Sequence, residues 1–160
     1  MLGGWAGCGV WAYSAERNAW RSVNGDKSKA PRIETVTAYD PVNKVIVAQT
    51  PNRDTFHFSL KKKKWERVLN PGKDSKEHPM GHDKATPFFY DPVGKVCLLN
   101  HGSTMWAYDA GAKKWTAFKP NGPAKPNRPE QISYYDPERN VFVINRGTKT
   151  WVYRYERGTE

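Results

Sequence analysis

"AYDPVNKVIV" from Ala38, "FYDPVGKVCL" from Phe89 and "YYDPERNVFV" from Tyr134 are three near copies within one chain of 160 residues. The tyrosines of their Tyr-Asp-Pro triplets, Tyr39, Tyr90 and Tyr135, are separated by 51 and 45 residues. Self-similarity at a period of about 20 to 50 residues marks a repeat architecture, in which each unit is one small piece of supersecondary structure.

A second motif keeps the same period. In "DTFHFSLKKKKWERV" from Asp54 and "STMWAYDAGAKKWTAF" from Ser103, an aromatic pair two apart precedes a Trp by seven, as Phe56 and Phe58 with Trp65, and Trp106 and Tyr108 with Trp115. Trp11, Tyr13 and Trp20 hold the same offsets before the first triplet, and Trp151 with Tyr153 begin the pattern again after the last. Positions Trp11, Phe56, Trp106 and Trp151 therefore recur at 45, 50 and 45 residues.

Each unit reads as four short strands. Residues 35–39 are β-branched and aromatic, Asp-Pro and Asn-Lys make a tight reversal, and Val45 to Ala48 continue as a buried run. The aromatic pair and the Trp then form a second hairpin around a polar turn. No stretch carries a 3.6-residue apolar period, so the fold class is all-β. A lone sheet of about 35 residues cannot cover both its faces and must stack on neighbours, and radial stacking of four-stranded units gives a β-propeller. The expected layout is an outer hairpin over 1–24, complete blades over 35–69 and 86–119, and an inner hairpin plus third strand over 131–155.

On these residues the chain resembles the Kelch-repeat family, in which a hairpin ending in Gly-Gly leads to an aromatic strand and a Trp strand. Gly3 and Gly4 stand ahead of Trp11, Tyr13 and Trp20, and "GPAKPNRPEQISYYDPERNVFVIN" from Gly122 resembles that family's Pro-rich entry to a blade. Later units carry Gln49-Thr50, Asn100-His101 and Asn145-Arg146 where the glycine pair is expected. The resemblance implies a propeller akin to the central domain of galactose oxidase, with about three blades here and an incomplete ring. The chain is accordingly expected to be part of a longer propeller. If it is full length, two copies are expected to pair as a homodimer that completes the ring.

Seven Trp, eight Tyr and six Phe supply burial that the 38% hydrophobic share alone would not suggest, so a folded core is expected. Cys8 and Cys97 occupy unlike contexts and read as buried thiols, not as a metal knuckle or redox pair. The formal charge of +10 raises nucleic acid as a partner, but acidic residues are interleaved and none is expected. No apolar run approaches the roughly 18 residues of a membrane span, and "MLGGWAGCGVW" lacks the basic start of a secretory leader, so no membrane partner is expected.

In such a unit, with strands a to d, the b–c turns and the connections between units fall at one end. The long stretches 24–34, 70–86 and 121–131 are the inter-unit connections, where binding function would concentrate. Candidate binding residues at that end are Arg53, His78, His82, His101, Arg128 and Arg146. His78 and His82 are four apart beside Asp83, yet Pro79 and Gly81 argue for a loop, so no metal site is expected. The run Lys61 to Lys64 fills a c–d turn and reads as a solvated hairpin tip.

No nucleophile-and-base motif, zinc-protease motif or phosphate loop occurs. The expected function is a non-catalytic scaffold, without cofactor, that binds a protein or carbohydrate ligand. The alternative implied by the resemblance is a fragment of a secreted propeller enzyme, of oxidase or sugar mutarotase type, with its active site partly in other blades.

Overall fold

The computed structural model describes residues 9–23, 30–31, 35–72, 76–79, 86–101, 104–119 and 132–156. These residues form thirteen strands and no helix. In chain order they are β1 (Trp11–Ser14), β2 (Ala19–Ser22), β3 (Val36–Asp40), β4 (Val45–Gln49), β5 (Thr55–Ser59), β6 (Lys64–Leu69), β7 (Phe88–Asp91), β8 (Val96–His101), β9 (Thr104–Asp109), β10 (Lys114–Phe118), β11 (Ile132–Asp136), β12 (Val141–Arg146) and β13 (Lys149–Tyr153). They make four antiparallel meanders, β1-β2, β3-β4-β5-β6, β7-β8-β9-β10 and β11-β12-β13. No strand crosses from one sheet to another among the described residues, and these sheets do not close into a ring.

One turn design makes six of the hairpins. The loops at 15–18, 41–44, 60–63, 92–95, 110–113 and 137–140 each have four residues and end on a left-handed residue, respectively Asn18, Lys44, Lys63, Lys95, Lys113 and Asn140, with φ between 45 and 55°. A side chain just before each loop caps it. Asp40 Oδ1 accepts from the amides of Val42 at 2.9 Å and Asn43 at 3.0 Å, while Asp91, Asp109 and Asp136 accept from Val93, Ala112 and Glu138. Ser14 and Ser59 do the same for Arg17 and Lys62. Short polar side chains that satisfy nearby amides favour turns over continued strand, which explains the recurring Asp-Pro. Gly94 matters for another reason: a Cβ there would lie 2.7 Å from the Tyr155 ring, so the turn at 92–95 packs too closely for a larger residue.

The sheets stack face to face through alternate residues, as the two-residue period of a strand dictates. In the second sheet, Ala48, Phe56, Phe58 and Trp65 face the first, where Val10 and Val23 meet them. Val36, Ala38 and Val47 face the third sheet, which presents Phe88, Cys97, Leu99, Trp106, Tyr108 and Trp115. The third sheet's other face, Val96, Leu98, Met105 and Ala107, meets Tyr153 and Tyr155, and Phe89 packs edge-on against Phe142 at 5.1 Å. Each aromatic set thus faces the preceding sheet, and each set of smaller aliphatic residues faces the following one.

The first strands of three successive sheets also adjoin, β3 beside β7 and β7 beside β11. In the first sheet the aromatic set has no sheet over it among the described residues. Trp11 is 56% and Trp20 65% exposed, whereas Trp65 and Trp115 at the same repeat position as Trp20 are 3% and 4% exposed.

Candidate functional site

Antiparallel order places the b–c turns at the end of each sheet opposite the six four-residue loops. At that end, β4 and β5 are joined by a turn knit together by Thr50. Its amide donates to the Asp54 carbonyl at 3.0 Å, its carbonyl accepts from the Arg53 amide at 3.0 Å, and its hydroxyl accepts from the Asp54 amide at 3.1 Å. This network holds Arg53 in the left-handed region at φ 70°, a conformation that costs a side-chain-bearing residue about 1 kcal/mol or more. Asp54 in turn meets Arg67 of β6 at 3.7 Å.

His78, from the connection between the second and third sheets, comes to the same place. Burial pushes its imidazole pKa below the usual range; Glu77 opposes that shift, and the neighbouring Arg53 charge adds to it. The ring is therefore neutral at neutral pH, with both a donor and an acceptor nitrogen. Its Nδ1 is buried without a hydrogen-bond partner among the described residues. A guanidinium and a neutral imidazole at one end of the sheets can grip a carboxylate, a hydroxyl or a backbone carbonyl.

His101 closes β8 opposite Thr104, at the same end and half-buried. Arg146 ends β12, where its backbone pairs with Lys149. His82 and Arg128 lie outside the described residues. Of the expected candidates, Arg53 and His78 are the pair in which one charge is felt at the other ring. No group of three or more His, Cys, Asp or Glu side chains converges on one point among the described residues.

A second polar cluster escaped the sequence reading. His57 Nε2 lies 2.8 Å from the Tyr108 hydroxyl across the junction of the second and third sheets. Beside it the Trp115 indole N–H donates to Thr55 Oγ1 at 2.9 Å, and that hydroxyl donates to Gln49 Oε1 at 2.7 Å. Burial, with some help from Lys113, lowers the His57 pKa to about 4, although Glu66 and Asp40 pull the other way. Burial likewise raises the Tyr108 phenol. The pair resembles a general acid and base, but both side chains are sealed between sheets, so its work is to fix one sheet on the next. Alternation could have placed His57 on an inner face; its partner 51 residues away carries no local sequence signal.

Compared with known proteins, the chain matches no protein-family model and no curated protein sequence.

Proposed function

We propose that the chain is a run of Kelch-like propeller blades acting as a non-catalytic scaffold, which binds a protein or carbohydrate partner at the end bearing Arg53 and His78. Three features support the propeller reading. Successive four-stranded meanders stack by opposite faces, their first strands adjoin, and each aromatic set looks toward the preceding sheet. Stacking of this kind continues for as long as sheets are added, and adjoining first strands bend the stack around an axis.

The binding reading rests on the buried His78 Nδ1 that has no partner among the described residues, at the end where connections between sheets emerge and within reach of the Arg53 charge. The Thr50 network fixes the turn that carries Arg53, and variable connections on a rigid support are where recognition concentrates. An oligosaccharide array and an acidic-peptide array, each probed with the unsubstituted protein, Arg53→Ala and His78→Ala, test this. Retention of at least one ligand, weakened roughly ten-fold or more by either substitution, is the expected result, since a charge-assisted hydrogen bond is lost. Ligands that ignore both substitutions, and ignore shortening of stretch 70–86 with the fold intact, would contradict it.

A further inference from the structure

We propose that the opposite end of the molecule, at the four four-residue turns of the second and third sheets, docks on an anionic phospholipid surface. The turns of the second and third sheets lie side by side there: a Cβ on Gly111 would lie 3.5 Å from the Asn43 side chain. The chain after the fourth sheet adjoins them, where Gly94 packs on Tyr155 and Arg154 donates to the Arg139 carbonyl at 3.0 Å.

Three of these turns expose an aliphatic side chain. Val42 is 59% exposed, Val93 67% and Leu60 40%. Only the backbone amides of Val42 and Val93 serve the caps, and the equivalent position in the last turn holds Glu138. Where the second sheet has Leu60, the corresponding loop positions hold Ala15 and Ala110.

Lysines surround those tips. Lys44, Lys63, Lys95 and Lys113 occupy the left-handed position, which Gly or Asn would fill with less strain. The two asparagines at that position serve the structure, because the Tyr13 hydroxyl donates to Asn18 Oδ1 at 2.6 Å, and the Tyr135 hydroxyl donates to Asn140 Oδ1. The four lysines have no such hydrogen bond and no ion pair among the described residues, and Lys61, Lys62, Lys64 and Lys114 add to them. Tolerated strain without a local partner points to a use for the charge.

Exposed aliphatic tips set among lysines fit a bilayer surface: the cations meet lipid phosphates and carboxylates while the apolar groups enter the boundary below them. A nucleic acid would gain nothing from valine tips. The turns of the second and third sheets offer it no arginine and no exposed aromatic ring on which a base could stack. The expectation of no membrane partner rested on the lack of a spanning segment, and surface docking needs none.

Cosedimentation of the 160-residue chain with phosphatidylcholine vesicles, with and without about one third phosphatidylserine, tests the proposal. Binding is expected with phosphatidylserine only and should fall steeply with salt. Val42→Ser with Val93→Ser should weaken it roughly ten-fold, because two apolar insertions are lost. Replacing Lys44, Lys63, Lys95 and Lys113 together by Gly should weaken it roughly 100-fold or more. Glycine suits those four backbone positions, so an unfolding midpoint that does not fall separates charge from folding. Failure of the unsubstituted protein to sediment with phosphatidylserine vesicles at low salt would overturn the proposal. So would binding that ignores both valine replacements, or an oligonucleotide bound equally well by the unsubstituted protein.

Discussion

His57 Nε2 and the Tyr108 hydroxyl meet at 2.8 Å across two stacked sheets, and the imidazole is held neutral there down to a pH of about 4. The ordinary histidine value is 6.5. As pH falls, the unfolded chain therefore takes up this proton before the folded one does. The stability that His57 contributes is complete above 6.5 and drains away between 6.5 and about 4. The loss should be about 2–3 kcal/mol by the lower limit. Urea unfolding at several pH values should show this slope in the unsubstituted protein and a shallower one in His57→Leu; equal slopes would assign the acid sensitivity elsewhere.

Equivalent tryptophans should differ in worth. Trp115 packs against Tyr108 at 4.8 Å and bonds Thr55, whereas Trp20 is 65% exposed. Trp115→Ala should cost about 3–5 kcal/mol in chemical denaturation. Trp20→Ala should cost well under half of that, and a matching loss would mean that another surface covers Trp20 in solution.

The turn caps should also be unequal. Asp40 is fully buried and accepts from two amides and from Asn43 Nδ2, so Asp40→Ala strands three donors and should cost about 2–4 kcal/mol. Asp136 makes a similar cap but is less buried, and Arg139 holds its carboxyl below the usual range. Asp136→Ala should be the milder change in the same thermal-unfolding assay.

The neighbourhood of His78 can be read by NMR titration. Because Arg53 pushes the imidazole pKa down and Glu77 pushes it up, Arg53→Ala should raise the midpoint and Glu77→Gln should lower it. A midpoint that ignores Arg53→Ala would remove the basis for treating these residues as one site.

The all-β class and the repeated antiparallel sheets were legible because alternation and turn chemistry are local. Tyr39 and Tyr90 announce their hairpins through the Asp-Pro that follows, and the structure gives those aspartates the capping role that their position suggests. The aromatic register was legible too, since Phe58 and Tyr108 must each meet a Trp seven residues on across a tight hairpin. What joins the sheets was not. The bonds of His57 to Tyr108 and of Trp115 to Thr55 span 51 and 60 residues, and no local pattern selects such partners. The lysine-bearing end was hidden for a similar reason. Lys61 to Lys64 stood out as a run, but Lys44 and Lys95 are single residues and Lys113 one of a pair, and only the stacking gathers them at one end.

A double-mutant cycle at His57 and Tyr108, read by urea unfolding at neutral pH, is the sharpest test of the face-to-face stacking from which both proposed surfaces follow. His57→Leu, Tyr108→Phe and the double variant should show a coupling of about 1 kcal/mol or more, as residues sharing a buried hydrogen bond do. Effects that add to within about 0.3 kcal/mol would mean that the two side chains do not touch, and the stacking of the second sheet on the third would be contradicted.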